Sequence, residues 1–241
     1  MVQILPALYN MKLLGIDDAG RGPVLGPMIL SGVLIESNEE QLIKNWGAKD
    51  SKLLTPQKRK EIKEKITPKF KHHIELSTPK EIDESSNLNY LEAIKTAKII
   101  NELTKNLNEK VKVIVDCPSV NIQSWSNDVQ RLLTKNQEPR TKNSEKSNFS
   151  ISLSCEHKAD LNHPVVSAAS IIAKEKREDE MYKLRLQFKK DFGSGYPADP
   201  KTKEFIAENF DNPKYKDIIR FSWNTVKKLI KAKEANQQKL F

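Results

Sequence analysis

Cysteine is nearly absent from this 241-residue chain: only Cys117 and Cys155 occur. Neither stands in a metal-ligand spacing, and two thiols in a chain of this length do not make a disulfide framework, so both are expected to be reduced packing residues. Long apolar runs are also lacking. No uninterrupted segment reaches the length needed to span a bilayer, and residues 1–10 lack the charged head and long apolar middle of a secretory signal, so the expected location is the cytoplasm. Acidic excess is missing as well. With 41 Lys and Arg against 32 Asp and Glu, the formal charge is +9, which favours contact with a polyanion and predicts binding that weakens with salt. Apolar residues make up 37% of the chain and the mean hydropathy is −0.62, so the expected architecture is one good-sized core with a smaller helical appendage.

What is present is concentrated first in Leu14-Gly15-Ile16-Asp17-Asp18-Ala19-Gly20-Arg21-Gly22-Pro23. The apolar run from Met11 to Ile16 predicts a buried strand, which the glycines and Pro23 break, leaving Asp17 and Asp18 at its C-terminal end. Ligands and metals collect at that end of strands in α/β sheets. Paired carboxylates suit a hard divalent cation, and a glycine-rich turn lets backbone N–H groups approach a nucleotide. The competing reading of the dipeptide alone is an exposed Asp-Gly turn.

Further strands are expected over Met28–Ile35, His72–Leu76, Val111–Val115 and Phe149–Leu153. Helices are expected over Glu39–Trp46, Gln57–Ile66, Pro79–Asp83, Leu88–Leu107 and Ile122–Leu133, followed by the longest, beginning near Pro164. Thr55-Pro56 is a helix start. Leu91, Ile94, Ala97, Lys98 and Leu103 define a mixed face of the fourth helix. Residues 135–148, rich in Lys, Asn, Ser and Thr, read as a surface loop. Beyond Asp199, two or three short amphipathic helices are divided by Pro213 and Ser222. Strands separated by helices predict an α/β sandwich.

The block Gly15-Ile16-Asp17-Asp18-Ala19-Gly20-Arg21-Gly22-Pro23-Val24-Leu25-Gly26-Pro27-Met28 resembles the N-terminal signature of the type 2 ribonucleases H, in their archaeal and eukaryotic branch. The resemblance continues, in family order, through Asp50-Ser51-Lys52-Leu53-Leu54, Val115-Asp116-Cys117-Pro118-Ser119, His157-Lys158-Ala159-Asp160, Pro164 to Lys174 and Gly193-Ser194-Gly195-Tyr196-Pro197. It implies a ribonuclease H-like three-layer α/β fold, with a mixed sheet of about five strands flanked by helices. Residues 1–198 would form the catalytic domain and 199–241 a helical C-terminal extension.

The activity implied is hydrolysis of the RNA strand of RNA/DNA hybrids, and cutting of duplex DNA 5′ to an embedded ribonucleotide, giving 3′-hydroxyl and 5′-phosphate ends. Two Mg²⁺ or Mn²⁺ ions would be held by Asp17, Asp18, Asp116 and Asp160, with Asp17 bridging both. Asp18 departs from the family pattern, which has Glu there, and is shorter by about 1.5 Å of reach. By the same resemblance, Gly20, Arg21 and Gly22 contact the ribose 2′-hydroxyl, Tyr196 packs on the sugar of the next deoxynucleotide, and Lys52 binds a phosphate. Tyr196 and Lys52 keep their ordinary alternatives, a packing ring and a solvated cation. His157 reads as structural or as a minor proton-transfer helper. Gln237, Leu240 and Phe241 partly match a sliding-clamp-binding tail, against the alternative that the last two fold back on the protein. The expected protein is a monomer with no membrane partner. Two rivals remain open: a type 3 ribonuclease H, and a hybrid-binding protein with little catalysis.

Overall fold

The computed structural model describes residues 11–48, 54–135 and 149–238. Its centre is a five-stranded sheet in the order β3-β2-β1-β4-β5. β1 (Lys12–Ala19) pairs antiparallel with β2 (Met28–Glu36) and parallel with β4 (Lys110–Asp116). β3 (Lys71–Ser77) adds antiparallel to β2, and β5 (Ser150–Glu156) adds parallel to β4. This is the mixed sheet expected from the sequence. Each strand extends one to three residues beyond at least one end of its apolar run, because pairing continues through polar residues once the register is set.

Alternation of side chains divides the sheet into two apolar layers. Leu14 and Ile16 of β1, with Val113 and Val115 of β4, pack with α4 (Leu88–Thr104) and α5 (Ile122–Lys135). Leu13 of β1 and Ile114 of β4 face the opposite way, toward α7 (Pro164–Phe188), which packs with α1 (Glu40–Asn45) and α2 (Pro56–Ile66). Two short helices, α3 (Pro79–Glu84) and α6 (Ala159–Asn162), lie at the ends of strands. α8 (Pro200–Asn209), a 3-10 turn at Pro213–Tyr215 and α9 (Asn224–Gln238) complete the chain's helices among the described residues.

Local chemistry explains several boundaries. Thr55 accepts a hydrogen bond from Lys58 N, with Pro56 in the first helical position of α2, as its sequence indicated. α4 ends at Thr104 rather than Leu107. Its buried face also differs from the expected one: Lys98 is exposed, while Ile99, Ile100, Glu92, Lys95 and Thr96 are buried. The helix is covered by both the sheet and α5, which gives it more than a single buried stripe. Lys135 closes α5, and the rest of the anticipated 135–148 loop lies outside the described residues.

At Gly15 the start of α7 approaches β1 so closely that a Cβ would collide with the Val165 backbone. That approach sets the ends of β1, β4 and α7 against one another. Residues 205–226 also join an apolar cluster with Val24, Leu25, Met181 and Phe192, so the C-terminal segment packs directly against the turn that follows β1. Among the described residues, no helix is long and apolar enough to cross a membrane. Cys117 and Cys155 are both free.

Candidate active site

β1 and β4 run parallel in the register Ile16↔Val115, so Asp17 and Asp116 are neighbours one step beyond that pair. Both leave the sheet on the α7 side, because Leu13 and Ile114, two or four residues earlier in the same strands, belong to the α7 layer. Asp160, in the first turn of α6, comes in from the loop after β5. The carboxylates of Asp17, Asp116 and Asp160 offer one oxygen each within 4.8 Å of one another. Asp17 and Asp160 are buried, while Asp116 is half-buried and accepts a 3.3 Å hydrogen bond from Ala159 N.

Asp18 stands outside this trio. By strand alternation it leaves β1 on the side of Glu92, whose carboxyl feels its charge, although Asp17, Asp18 and Asp116 all line both the main cleft and a small cavity beside Glu92. Of the four predicted acidic residues, the fold therefore gathers three closely and leaves the one that departs from the family pattern to one side.

Burial pushes the Asp17 carboxyl well above the usual carboxylate range. The charges of Asp18 and Asp116 push in the same direction, and hydrogen bonds from the Ser170 side chain and the Asp18 backbone oppose them. Crowded, poorly hydrated carboxylates that offer only oxygen ligands fit a hard divalent cation, whose charge removes their mutual repulsion.

The cleft around these groups has a volume of about 480 Å³ and is also lined by Gly20, Arg21, Gly22, Arg59, Lys174, Arg177 and Tyr196. The predicted sugar-reading residues thus face the same space as the carboxylates. Gly20 has φ +86°, a left-handed conformation suited to glycine, and Arg177 packs directly beneath it. The Arg177 guanidinium lies 5.4 Å from the centre of the Tyr196 ring and donates to Ser194 O at 3.1 Å, which holds the ring beside the turn. The ring itself is 44% exposed, leaving it open to a ligand.

Arg21 is half-buried and turned toward α4. Its Nη2 donates to Asn89 Oδ1 at 2.6 Å, and its Nη1 lies 3.4 Å from Glu92 Oε2. Burial, followed by the charge of Asp18, raises the Glu92 pKa to about 8, against the opposing pull of Arg21 and Arg220. On the other side of the cleft, Arg59 pairs with Glu175 at 2.9 Å and donates to Leu54 O at 3.1 Å, tying α2 to α7. His157 Nδ1 faces Cys117 O at 3.2 Å, a contact that connects the loops after β4 and β5. Lys52, Leu240 and Phe241 lie outside the described residues, and only the backbone of Gln237 is described, within α9.

Asn89, Glu92, Arg59 and Arg177 were not identified from the sequence. Glu92 alone carried a signal, a charged residue amid the apolar positions of a helix.

Residues 14–226 match the family model for Ribonuclease HII. A Ribonuclease HII of Pyrococcus furiosus is 38% identical over 231 residues, covering 93% of this chain and 95% of its own. Among solved structures, the ribonuclease H2 of Pyrococcus horikoshii OT3 superposes with a TM-score of 0.75 at 36% identity, covering 91% of this chain and 97% of its own. The Archaeoglobus fulgidus RNase HII, solved as a complex with PCNA, gives a TM-score of 0.72 at 31% identity, with coverages of 89% and 96%. A converged carboxylate cluster, the expected sheet and a match across most of the chain agree: this protein belongs to the ribonuclease HII family and is a metal-dependent endoribonuclease of ribonuclease H type 2 that cleaves RNA in RNA/DNA hybrids.

Proposed function

We propose that this protein also cuts duplex DNA on the 5′ side of single embedded ribonucleotides, using two divalent cations, Mg²⁺ or Mn²⁺. The observation that carries this reading is the shared cleft: Gly20, Arg21, Gly22 and Tyr196 line the same space as Asp17, Asp116 and Asp160. A turn that contacts the 2′-oxygen of one nucleotide, beside an aromatic ring that packs on the next sugar, reads an RNA-to-DNA junction rather than a run of RNA.

Asp17, Asp116 and Asp160 hold the cations, with Asp18 contributing from the other side of β1. Bound cations supply positive charge at the scissile phosphate and ease the activation of the attacking water. The chain's own work is positional. The carboxylates define where the phosphate sits, Arg59, Lys174 and Arg177 bring positive charge to the cleft, and the turn and Tyr196 set the register of the strand. Lys52 adds a phosphate contact. Residues 1–198 form the catalytic unit and residues 199–241 the extension, of which residues 205–226 pack on it.

We place the protein in the cytoplasm as a monomer. A sliding clamp is a second partner, engaged through Gln237, Leu240 and Phe241; the specific support is the relative from Archaeoglobus fulgidus, solved with PCNA bound. Deleting residues 237–241 weakens clamp binding and leaves hydrolysis of a short duplex unchanged on this reading. Unchanged clamp affinity refutes it.

The deciding experiment uses a DNA duplex with one ribonucleotide, incubated separately with Mg²⁺ and Mn²⁺, with product ends mapped. Cutting 5′ to the ribonucleotide to give 3′-hydroxyl and 5′-phosphate ends is the expected result. Cutting only within runs of RNA, or tight binding without products, overturns the junction reading.

A further inference from the structure

The guanidinium of Arg220, in the segment between the 3-10 turn and α9, is completely buried and hydrogen-bonded to backbone carbonyls of the turn that follows β1. Nη2 donates to Gly20 O at 2.7 Å, Nη1 to Arg21 O at 3.0 Å and Nε to Gly26 O at 2.9 Å. Trp223 Nε1 donates to Gly22 O at 3.0 Å, and its ring lies 4.9 Å from the Arg220 guanidinium. Three consecutive carbonyls, those of residues 20, 21 and 22, are thus taken up by two side chains three positions apart.

This has a geometric consequence. In a planar trans peptide the N–H of one residue points opposite to the carbonyl of the residue before it. With Gly20 O and Arg21 O drawn toward Arg220, the N–H groups of Arg21 and Gly22 are directed away from the C-terminal segment. The third carbonyl, Gly22 O, precedes Pro23, which has no N–H to direct. The turn therefore presents two adjacent donors with one orientation.

The bracing segment is itself anchored. Asp83, from α3, accepts from Phe221 N at 2.7 Å and from Ser222 N at 2.9 Å, and it also accepts from the Ser222 hydroxyl. Arg220 N donates to Val24 O and Gly26 N to Ile218 O, both at 2.9 Å, lacing the two stretches together along their backbones. A buried arginine that gives three hydrogen bonds to backbone carbonyls is a costly arrangement for mere packing.

We propose that Arg220 and Trp223 are specificity-determining positioning residues: they hold the carbonyls of Gly20, Arg21 and Gly22 so that the Arg21 and Gly22 N–H groups face a ribose 2′-oxygen. This rests on the reading of the turn given above. Neither residue touches substrate. They act through the backbone, and their loss blurs the distinction between ribose and deoxyribose without removing the charges that bind phosphate.

The test compares two duplexes of one sequence, differing by a single 2′-hydroxyl, with affinity measured in the absence of divalent metal. Trp223→Phe keeps the ring over Arg220 and removes only the Gly22 O bond. It should lower the preference for the ribonucleotide duplex roughly fivefold, leave affinity for the all-DNA duplex unchanged, and speed hydrogen exchange at the Gly22 amide. Arg220→Lys should lower the preference further. A folded Trp223→Phe variant that keeps the wild-type preference overturns the proposal, even if Arg220→Lys fails to fold. Equal loss of affinity for both duplexes overturns it too, because that marks a purely structural role. If the wild-type protein shows no preference between the duplexes, the reading of the turn itself falls, a result separable from the other two.

Discussion

The backbone N–H of Asp18 donates to Asp17 Oδ1 at 2.7 Å, yet the two side chains leave β1 on opposite faces. Asp17 lies with Asp116 and Asp160 on the α7 side, whereas Asp18 faces the layer that holds Glu92. Adjacent residues in a strand cannot share a face. The acidic pair is therefore two separate contributions to one sheet edge, and the two positions should respond differently to substitution.

Asp17→Asn should abolish cleavage, by about 10³-fold or more, while leaving hybrid affinity within a few-fold. The carboxylate belongs to the cluster proposed to hold the cations, and on the same reading substrate affinity comes mainly from the basic rim and the turn. Single-turnover cleavage and equilibrium binding of the same hybrid check both halves.

Asp18→Glu should preserve or increase activity and lower the metal concentration that gives half-maximal rate. The longer side chain restores about 1.5 Å of reach toward the cluster from the far side of β1. Metal titrations of the cleavage rate for both proteins measure this, and a large loss of activity means that the pocket is built around the shorter residue.

Tyr196→Ala should reduce cleavage at a single ribonucleotide by roughly three- to tenfold more than cleavage of a continuous hybrid. The half-exposed ring is held by Arg177, and on the proposed reading it packs on a deoxyribose that only the junction substrate supplies. Equal losses on both substrates mean that the ring only packs.

Glu92 bears on the pH dependence of stability. Its pKa is about 8 in the folded protein against an ordinary value of 4.5, so folding takes up a proton between these limits, and the group lowers stability progressively as pH rises from about 4.5 to about 8. Glu92→Gln removes that slope. The variant should gain thermal stability over the wild type at pH 8 and differ little at pH 5, as read from melting curves at the two pH values.

Asp199 works in the opposite sense. Hydrogen bonds from the Ser194 side chain and backbone, with others from the N-terminus of α8, hold its pKa at about 2 against an ordinary 3.8. Its contribution is complete above the ordinary value and disappears as pH falls through about 2. Asp199→Asn should therefore flatten the acid limb of the stability profile between pH 4 and 2, which acid titration followed by circular dichroism would show.

The alternation and breaks of the chain determined much of this protein. The apolar run before Asp17, the β-branched run before Asp116 and the Pro164 helix start each encode a local preference, and local preferences survive into the fold because the elements they specify also bury their apolar faces. The motif set named the candidate site in the same way, with Asp17, Asp18, Asp116, Asp160 and the Gly20–Gly22 turn in order along the chain, all of which line one cleft. Tertiary structure decided the rest. That Asp17 meets Asp116 and Asp160 while Asp18 does not depends on a parallel register between strands nearly a hundred residues apart, which no local pattern records. Arg220 and Asp83 looked like ordinary charged residues in amphipathic surroundings. Only burial, by stripping water from the guanidinium and presenting carbonyls 200 positions away, made Arg220 a brace for the turn.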